Sequence, residues 1–191
     1  MEHKAATRIC DYMARNGVIR DDLLEVYVYG VELVLSFFTS SVLILCTGIL
    51  LRRITHTIIF LTAFFLVRRF TGGYHANTYL ICKIFTVGTY IVVMLLSQIA
   101  TLTIPYYLLI TLPGIPVIAV WGPIENPNKP LSSVARKKHK ITGLVLYTVF
   151  LIMGIWLHTL SHPFGNVVCF TLASVIALML FSNFKERSIK Q

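Results

Sequence analysis

A histidine and a cysteine lie seven residues apart in the segment RRFTGGYHANTYLICK, which covers residues 68–83. His75 and Cys82 have the chemistry of a base and a thiol nucleophile, because an imidazole that takes the thiol proton leaves a thiolate able to attack an acyl carbon. On one continuous helix they would lie about 10 Å apart along the axis, too far for a hydrogen bond. Contact therefore needs a bend, and Gly72 with Gly73 has the backbone freedom to form it. We predict a catalytic loop over 68–83, with Cys82 at or near the start of a helix.

Charge near the cysteine favours this chemistry. Lys83 follows Cys82 directly, and a helix N-terminus at the thiol would also stabilise a thiolate. A plainer interpretation stays open, because an isolated cysteine in an apolar helix is usually a small packed side chain and a loop histidine is usually solvated. From the spacing alone, the plainer interpretation is the more frequent one.

The remaining histidines and cysteines predict no second site. Five histidines outside this segment are interpreted as interfacial or loop residues: His3, His56, His139, His158 and His162. His158 and His162 have the spacing of a metal pair, but no carboxylate follows nearby, so no metal site is predicted. The four cysteines are far apart without a CxxC pair, which argues against zinc and against a disulfide framework. The sequence predicts no cofactor.

Polar side chains at the start of the first apolar segment form a second group of candidates. Glu25, Tyr29 and Glu32 follow the i, i+4, i+7 spacing of one helix face. Asp22 shares this face, so a polar stripe descends into the membrane. An ionisable group such as Glu32 is costly inside lipid and is functional by default.

Two roles for Glu32 are compatible with the sequence. Its carboxylate could orient His75 as the third group of a nucleophile and base arrangement. Alternatively, it is protonated, or it pairs with Arg68 or Arg69 and holds the bundle together. The two interpretations stay open at equal weight.

The composition requires lipid around most of the chain. Of 191 residues, 56% are hydrophobic and 13% are charged, with a mean hydropathy of +0.75, whereas a soluble domain carries about 25% charged residues. We predict an all-α polytopic bundle forming one integral membrane domain over 1–191, with apolar helices at 26–51, 54–67, 84–104, 106–121, 141–158 and 166–181. The second helix is short against the ~20 residues of a full span. Pro113 and Gly114 should break the fourth.

Basic residues predict the orientation. Residues 1–22 form an amphipathic N-terminal segment, expected at the membrane surface with Ile9 and Tyr12 on its apolar side. With the N-terminus inside and six alternating spans, only Arg52 and Arg53 fall outside, so 15 of the 17 Lys and Arg residues are cytoplasmic. The positive-inside rule places both termini in the cytoplasm of a multi-pass cell-membrane protein. Because the bases flank apolar spans, nucleic acid is not a predicted partner.

The longest polar segment is WGPIENPNKPLSSVARKKHK at 121–140. Its basic run is sufficiently explained as a topology signal, but its three prolines are not, and they suggest an ordered cytoplasmic surface. Lys129, within this segment, is a candidate substrate contact together with Glu25 and Tyr29 of the polar stripe.

The motifs RRFTGGYHANTYLIC and GPIENPNKPLS, with YGVE near residue 30 and about six spans, resemble the accessory gene regulator B (AgrB) family of membrane peptidases in Gram-positive quorum sensing. The resemblance covers nearly the whole chain. It implies a cysteine endopeptidase in which Cys82 attacks a short amphipathic precursor peptide and forms an acyl-enzyme thioester, with His75 as base. A side chain of the peptide then displaces the enzyme and leaves a cyclic thiolactone or lactone. The family also implies a possible homodimer.

Within this resemblance, Glu32 and either Arg68 or Arg69 are hypotheses for the supporting groups. Two other functions remain open. A non-enzymatic transporter or exporter of a small peptide is suggested by six spans and the broken fourth helix. A scaffold or sensor subunit without chemistry of its own is the third possibility.

Overall fold

The computed structural model describes residues 2–20, 23–72, 79–124 and 132–189. These residues form eight α-helices and no β-strand: α1 Glu2–Arg15, α2 Leu24–Leu50, α3 Ile54–Thr71, α4 Tyr79–Ile99, α5 Ile104–Thr111, α6 Gly114–Trp121, α7 Ser133–Leu160 and α8 His162–Ile189. The predicted all-α bundle is confirmed.

Within the described ranges, six segments are long and apolar enough to cross a membrane, which confirms the predicted number and makes the chain a multi-pass membrane protein. They are α2, α3, α4, the pair α5 and α6, α7 and α8. Several predicted boundaries were wrong, because helices continue past the apolar residues. The second span has 18 residues and includes Arg68 and Arg69 in its last turn, where a cation is favoured by the helix dipole and its long stem reaches the interface. The third begins at Tyr79 instead of residue 84.

Helix α8 is the centre of the bundle. It packs against α3, α4, α5, α6 and α7. The core contains large side chains from most of these helices, among them Phe60, Phe64, Tyr90, Tyr147 and Leu172. Helix α2 lies at the edge and packs on α1, α3 and α4, with many large apolar side chains exposed. Such exposure is what a lipid environment requires.

Helix α1 packs antiparallel along the start of α2. His3 contacts Glu32 in the third turn of α2, whereas Ala14, eleven residues later, lies beside Leu24. The buried face is formed by the small residues Ala6 and Cys10, which let the two backbones approach. The predicted amphipathic helix therefore packs on protein, and Ile9 and Tyr12, expected on the apolar side, are exposed.

The predicted break in the fourth span lies between α5 and α6. Helix α5 ends at Thr111, and α6 begins at Gly114 after a turn. The Tyr147 hydroxyl of α7 donates a 2.7 Å hydrogen bond to the Thr111 carbonyl oxygen. A side chain at position 114 would collide with that same hydroxyl. Because a helix end in lipid needs partners for its carbonyls, Tyr147 stabilises the break.

Candidate active site

The antiparallel packing of α2 on α3 determines which turn of α3 lies beside Glu32. Near one end of the pair, Gly48 approaches Thr57 so closely that an added Cβ would collide with the threonine side chain. Further along, the rings of Phe37 and Phe65 lie 4.5 Å apart. Continuing this register places Glu32 level with the last turn of α3.

The packing of α3 on α4 brings Cys82 to the same end of the bundle. Thr57 Oγ1 and the Tyr90 hydroxyl are 2.8 Å apart near the other end, and Arg68 contacts Cys82 near this one. Cys82 is the fourth residue of α4 and is half-buried. The thiol therefore lies in the first turn of a helix, as the sequence predicted.

The guanidinium of Arg68 lies beside the sulfur of Cys82, within range of a charged contact. Arg68 is itself half-buried, with its guanidinium carbon 5.2 Å from the centre of the Phe64 ring. This stacking fixes the cation beside the thiol. A neighbouring cation and a helix N-terminus are the surroundings in which reactive cysteines of proteins are commonly found.

The chain leaves α3 through an unusual backbone conformation at Gly72. Its φ is +75° and its ψ is −169°, a region open essentially to glycine alone. Its N–H donates a 3.0 Å hydrogen bond to the Arg68 carbonyl oxygen. The carbonyl of the preceding residue, Thr71, accepts a 3.0 Å hydrogen bond from the N–H of Ile124, which follows α6. Helix α3 therefore ends at Gly72, the first of the two glycines at which the bend was predicted.

Three of the predicted site residues lie outside the described residues: Gly73, His75 and Lys129. The predicted contact between His75 and Cys82 consequently stays a prediction. Of the segment 68–83, the structure describes its two ends, namely the last turn of α3 with Gly72 and the first turns of α4 with Cys82.

The polar stripe on α2 has one described partner on α1. Glu32 is buried and its carboxylate contacts Nδ1 of His3, which is largely exposed. Tyr29 is half-buried and Glu25 is exposed. Sequence reasoning treated His3 as an interfacial residue and missed this pair, because the two residues are 29 positions apart and no pattern links them.

Arg69 lies next to Arg68 but is exposed, with its guanidinium 5.8 Å from the Phe70 ring. Phe70 is also in edge contact with His139 of α7, at 5.4 Å between ring centres. The end of α3 thus presents one arginine to Cys82 and another to the surface.

The other thiols differ from Cys82 in their surroundings. Cys10 and Cys169 are fully buried, and Cys46 is exposed on the outside of α2. Burial raises the pKa of the Cys10 thiol, and the neighbouring Asp11 carboxylate raises it further. A buried, protonated thiol is a poor nucleophile.

His158 Nε2 and His162 Nδ1 lie 3.1 Å apart where α7 meets α8. This distance is an ordinary hydrogen bond between a protonated and an unprotonated ring nitrogen. Among the residues that the structure describes, no three His, Cys, Asp or Glu side chains are grouped so that they could hold a metal ion.

The fold and this site define a multi-pass helical membrane protein with a cysteine beside a cation at one end of its bundle. The family described as Accessory gene regulator B (AgrB) matches residues 6–182. The chain therefore belongs to the AgrB family.

Several curated relatives, each named accessory gene regulator protein B, are similar over most of their length. The protein of Staphylococcus saprophyticus is 23% identical over 89% of this chain and 87% of its own. The protein of Staphylococcus epidermidis is 24% identical over 93% of this chain and 91% of its own length. The protein of Staphylococcus aureus strain JH9 is 21% identical over 78% of each chain. No solved structure matches this chain.

Proposed function

We propose that this protein is a membrane-embedded cysteine endopeptidase of a quorum-sensing system. It cleaves a precursor peptide through an acyl-enzyme thioester on Cys82 and promotes cyclisation of the product to a thiolactone or lactone. Membership of the AgrB family supports the biological setting. The observation that carries the chemistry is the contact of the Arg68 guanidinium with the half-buried thiol in the first turn of α4.

The reaction has two acyl transfers. In the first, His75 takes the thiol proton, and the thiolate of Cys82 attacks the carbonyl carbon of a peptide bond. The C–S bond forms, the C–N bond breaks, and the leaving amine takes the proton from the imidazolium. In the second, a thiol or hydroxyl within the bound peptide attacks the thioester, the new ring bond forms, and Cys82 leaves as the thiol.

Cyclisation must compete with hydrolysis of the thioester. A thioester keeps much of its acyl-transfer potential, so transfer to a thiol of the peptide needs little net free energy. Cys82 lies at the end of an apolar bundle and is half-buried, which limits its access to water and favours the peptide nucleophile.

Other residues at the same end of the bundle are proposed to support His75 and Cys82. Arg68 stabilises the thiolate, and Gly72 with Gly73 gives the loop its bend. Glu32 either orients His75 or holds α1 through its contact with His3. Arg69 lies at the surface, where it adds positive potential.

The precursor is a short amphipathic peptide that lies between the lipid bilayer and the protein. Its polar side would contact Glu25 and Tyr29 on α2 and Lys129 in the loop before α7, while its apolar side stays in lipid. The protein is proposed to act at the cytoplasmic face, as a homodimer, with both termini inside. A membrane-impermeant maleimide should then label Thr101→Cys on intact cells and Ser133→Cys only after permeabilisation.

The experiment uses the full chain in liposomes with its precursor peptide. Cys82→Ala and His75→Ala should each abolish cleavage while the protein still inserts, and mass spectrometry should find a peptide thioester on Cys82 of the unaltered chain. Cys46→Ala is the matched control, since this thiol faces lipid at a distance from the site, and it should cleave normally. Cleavage by Cys82→Ala would refute the peptidase. Peptide transport that survives both substitutions would support an exporter instead.

A further inference from the structure

The chain segment that follows α6, residues 122–124, joins the last residue of α3. The N–H of Ile124 donates its hydrogen bond to the carbonyl oxygen of Thr71 at 3.0 Å. Pro123 is buried, and so is Thr71, whose hydroxyl donates to the Val67 carbonyl at 3.1 Å. Two segments about fifty residues apart in sequence are therefore fixed to each other by backbone at this point.

Gly72 follows directly and lies against the same segment. A Cβ at position 72 would collide with the carbonyl oxygen of Ile124 and would lie 2.9 Å from its nitrogen. This obstacle is backbone, which cannot rotate away as a side chain can. Two independent features therefore require glycine at position 72: its φ of +75° and the close approach of the backbone of residue 124.

Helix α7 closes the other side of the same turn. A Cβ at Gly143 would lie 3.2 Å from the Thr71 methyl group and 3.5 Å from the carbonyl of Phe70. The ring of His139, one turn earlier on α7, contacts Phe70. Residues 70–72 are consequently held between α7 and the 122–124 segment.

We infer that the 122–124 segment is a positioning element for the loop that carries His75. By fixing the backbone at Thr71 and Gly72, it sets the direction in which the chain leaves α3, three residues before the base. The inference rests on the proposed function, in which His75 must reach Cys82. Helix α3 then positions both Cys82 and His75. Its Arg68 contacts the Cys82 thiol, and its C-terminal end sets the direction of the loop that carries His75.

The main test is Gly72→Ala in the full chain in liposomes. A displacement of about 1 Å in a catalytic group lowers the rate roughly 100-fold. We expect kcat for precursor cleavage to fall by about that factor while KM changes less than about three-fold, because the base is misplaced but the peptide surface is retained.

A role through His75 also predicts a coupled effect on the thiol. Iodoacetamide alkylation of Cys82, followed by mass spectrometry of its peptide, should slow in Gly72→Ala and in His75→Ala. The double variant should be no slower than His75→Ala alone. A merely structural role would instead give an additive loss in the double variant.

Two glycines provide matched controls. Gly17 has a φ of +68° with no atom within 4 Å of an added Cβ, and Gly88 has neither a positive φ nor a close neighbour. Gly17→Ala therefore reproduces the backbone strain away from the site, and Gly88→Ala reproduces the added methyl group alone. Both should cleave the precursor at the unaltered rate.

A second pair keeps the test decisive if Gly72→Ala does not accumulate. Ile124→Pro removes the N–H that bonds to Thr71, whereas Ile124→Ala keeps it. The proline variant should lose much more cleavage than the alanine variant. Cleavage by Gly72→Ala or Ile124→Pro at the rate of its control would overturn the positioning role, provided that Cys82→Ala is inactive. An active Cys82→Ala would instead overturn the proposed function itself.

Discussion

Arg68 is the cation that contacts Cys82, so Arg68→Gln tests directly whether its charge activates the thiol. Glutamine keeps a hydrogen-bond donor and most of the stem that packs on Phe64, 5.2 Å from the guanidinium in the unaltered chain. The substitution therefore changes charge more than shape. Arg68→Lys keeps the charge but loses the planar fork, and should be affected less than Arg68→Gln.

The size of the effect follows from the burial of the two partners. A hydrogen bond to a charged group stabilises it by about 1.5–3 kcal/mol, and about 1.4 kcal/mol corresponds to a factor of ten. Arg68 and Cys82 are both only half-buried, so water screens part of the interaction. We expect the lower part of this range, which is a loss of about 10- to 40-fold.

The assay is the rate of Cys82 alkylation by iodoacetamide at neutral pH, read by mass spectrometry of the Cys82 peptide, alongside precursor cleavage. Both rates should fall by similar factors, because both depend on the thiolate. Lys137→Gln, an exposed change of equal charge on α7, controls for the loss of one positive charge and should leave both rates unaltered. If Arg68→Gln matched Lys137→Gln in both measurements, the assignment of thiolate stabilisation to Arg68 would be wrong.

Two further predictions concern the scaffold. Gly165→Ala should destabilise the junction of α7 and α8 by about 1–3 kcal/mol, because its Cβ would lie 2.5 Å from the Cα of His158; a thermal unfolding midpoint in detergent equal to that of Gly88→Ala would contradict this packing. Burial and Asp11 raise the pKa of the Cys10 thiol, so this thiol stays protonated at neutral pH and should gain reactivity only as the pH rises above the usual thiol range. At pH 7 its alkylation should be at least about ten-fold slower than that of Cys82; equal rates would mean that α1 does not stay packed on α2.

Hydropathy was sufficient to predict six spans, because a lipid environment demands long apolar helices and few other structures satisfy it. It failed at the helix ends. Arg68 and Arg69 are helical although charged, and α7 begins at Ser133, before a run of four bases among five residues at 136–140. Backbone hydrogen bonding continues through the interface where hydrophobicity stops, so composition locates a span better than it locates its ends.

The candidate site was only partly predictable. A cysteine in the first turn of a helix followed from local sequence and is confirmed at Cys82, and α3 ends at Gly72, the first of the two glycines at which the bend was predicted. Contacts between distant segments did not, as the bond from Ile124 to Thr71 illustrates. Such pairs depend on the rotation and depth of whole helices, which small residues at crossings set and hydrophobic periodicity leaves open. Glu32 was recognised as a costly buried acid, but nothing in its neighbourhood pointed to His3.

The fourth span has an evolutionary consequence. Tyr147 occupies the volume that a side chain at position 114 would need, and it also supplies the only described donor to the Thr111 carbonyl. A larger residue at 114 therefore requires a smaller one at 147, and that exchange leaves a carbonyl unbonded in the hydrocarbon. The three positions can change safely only as a set. Among relatives as distant as 21–24% identity, we expect this trio to be inherited intact or replaced together.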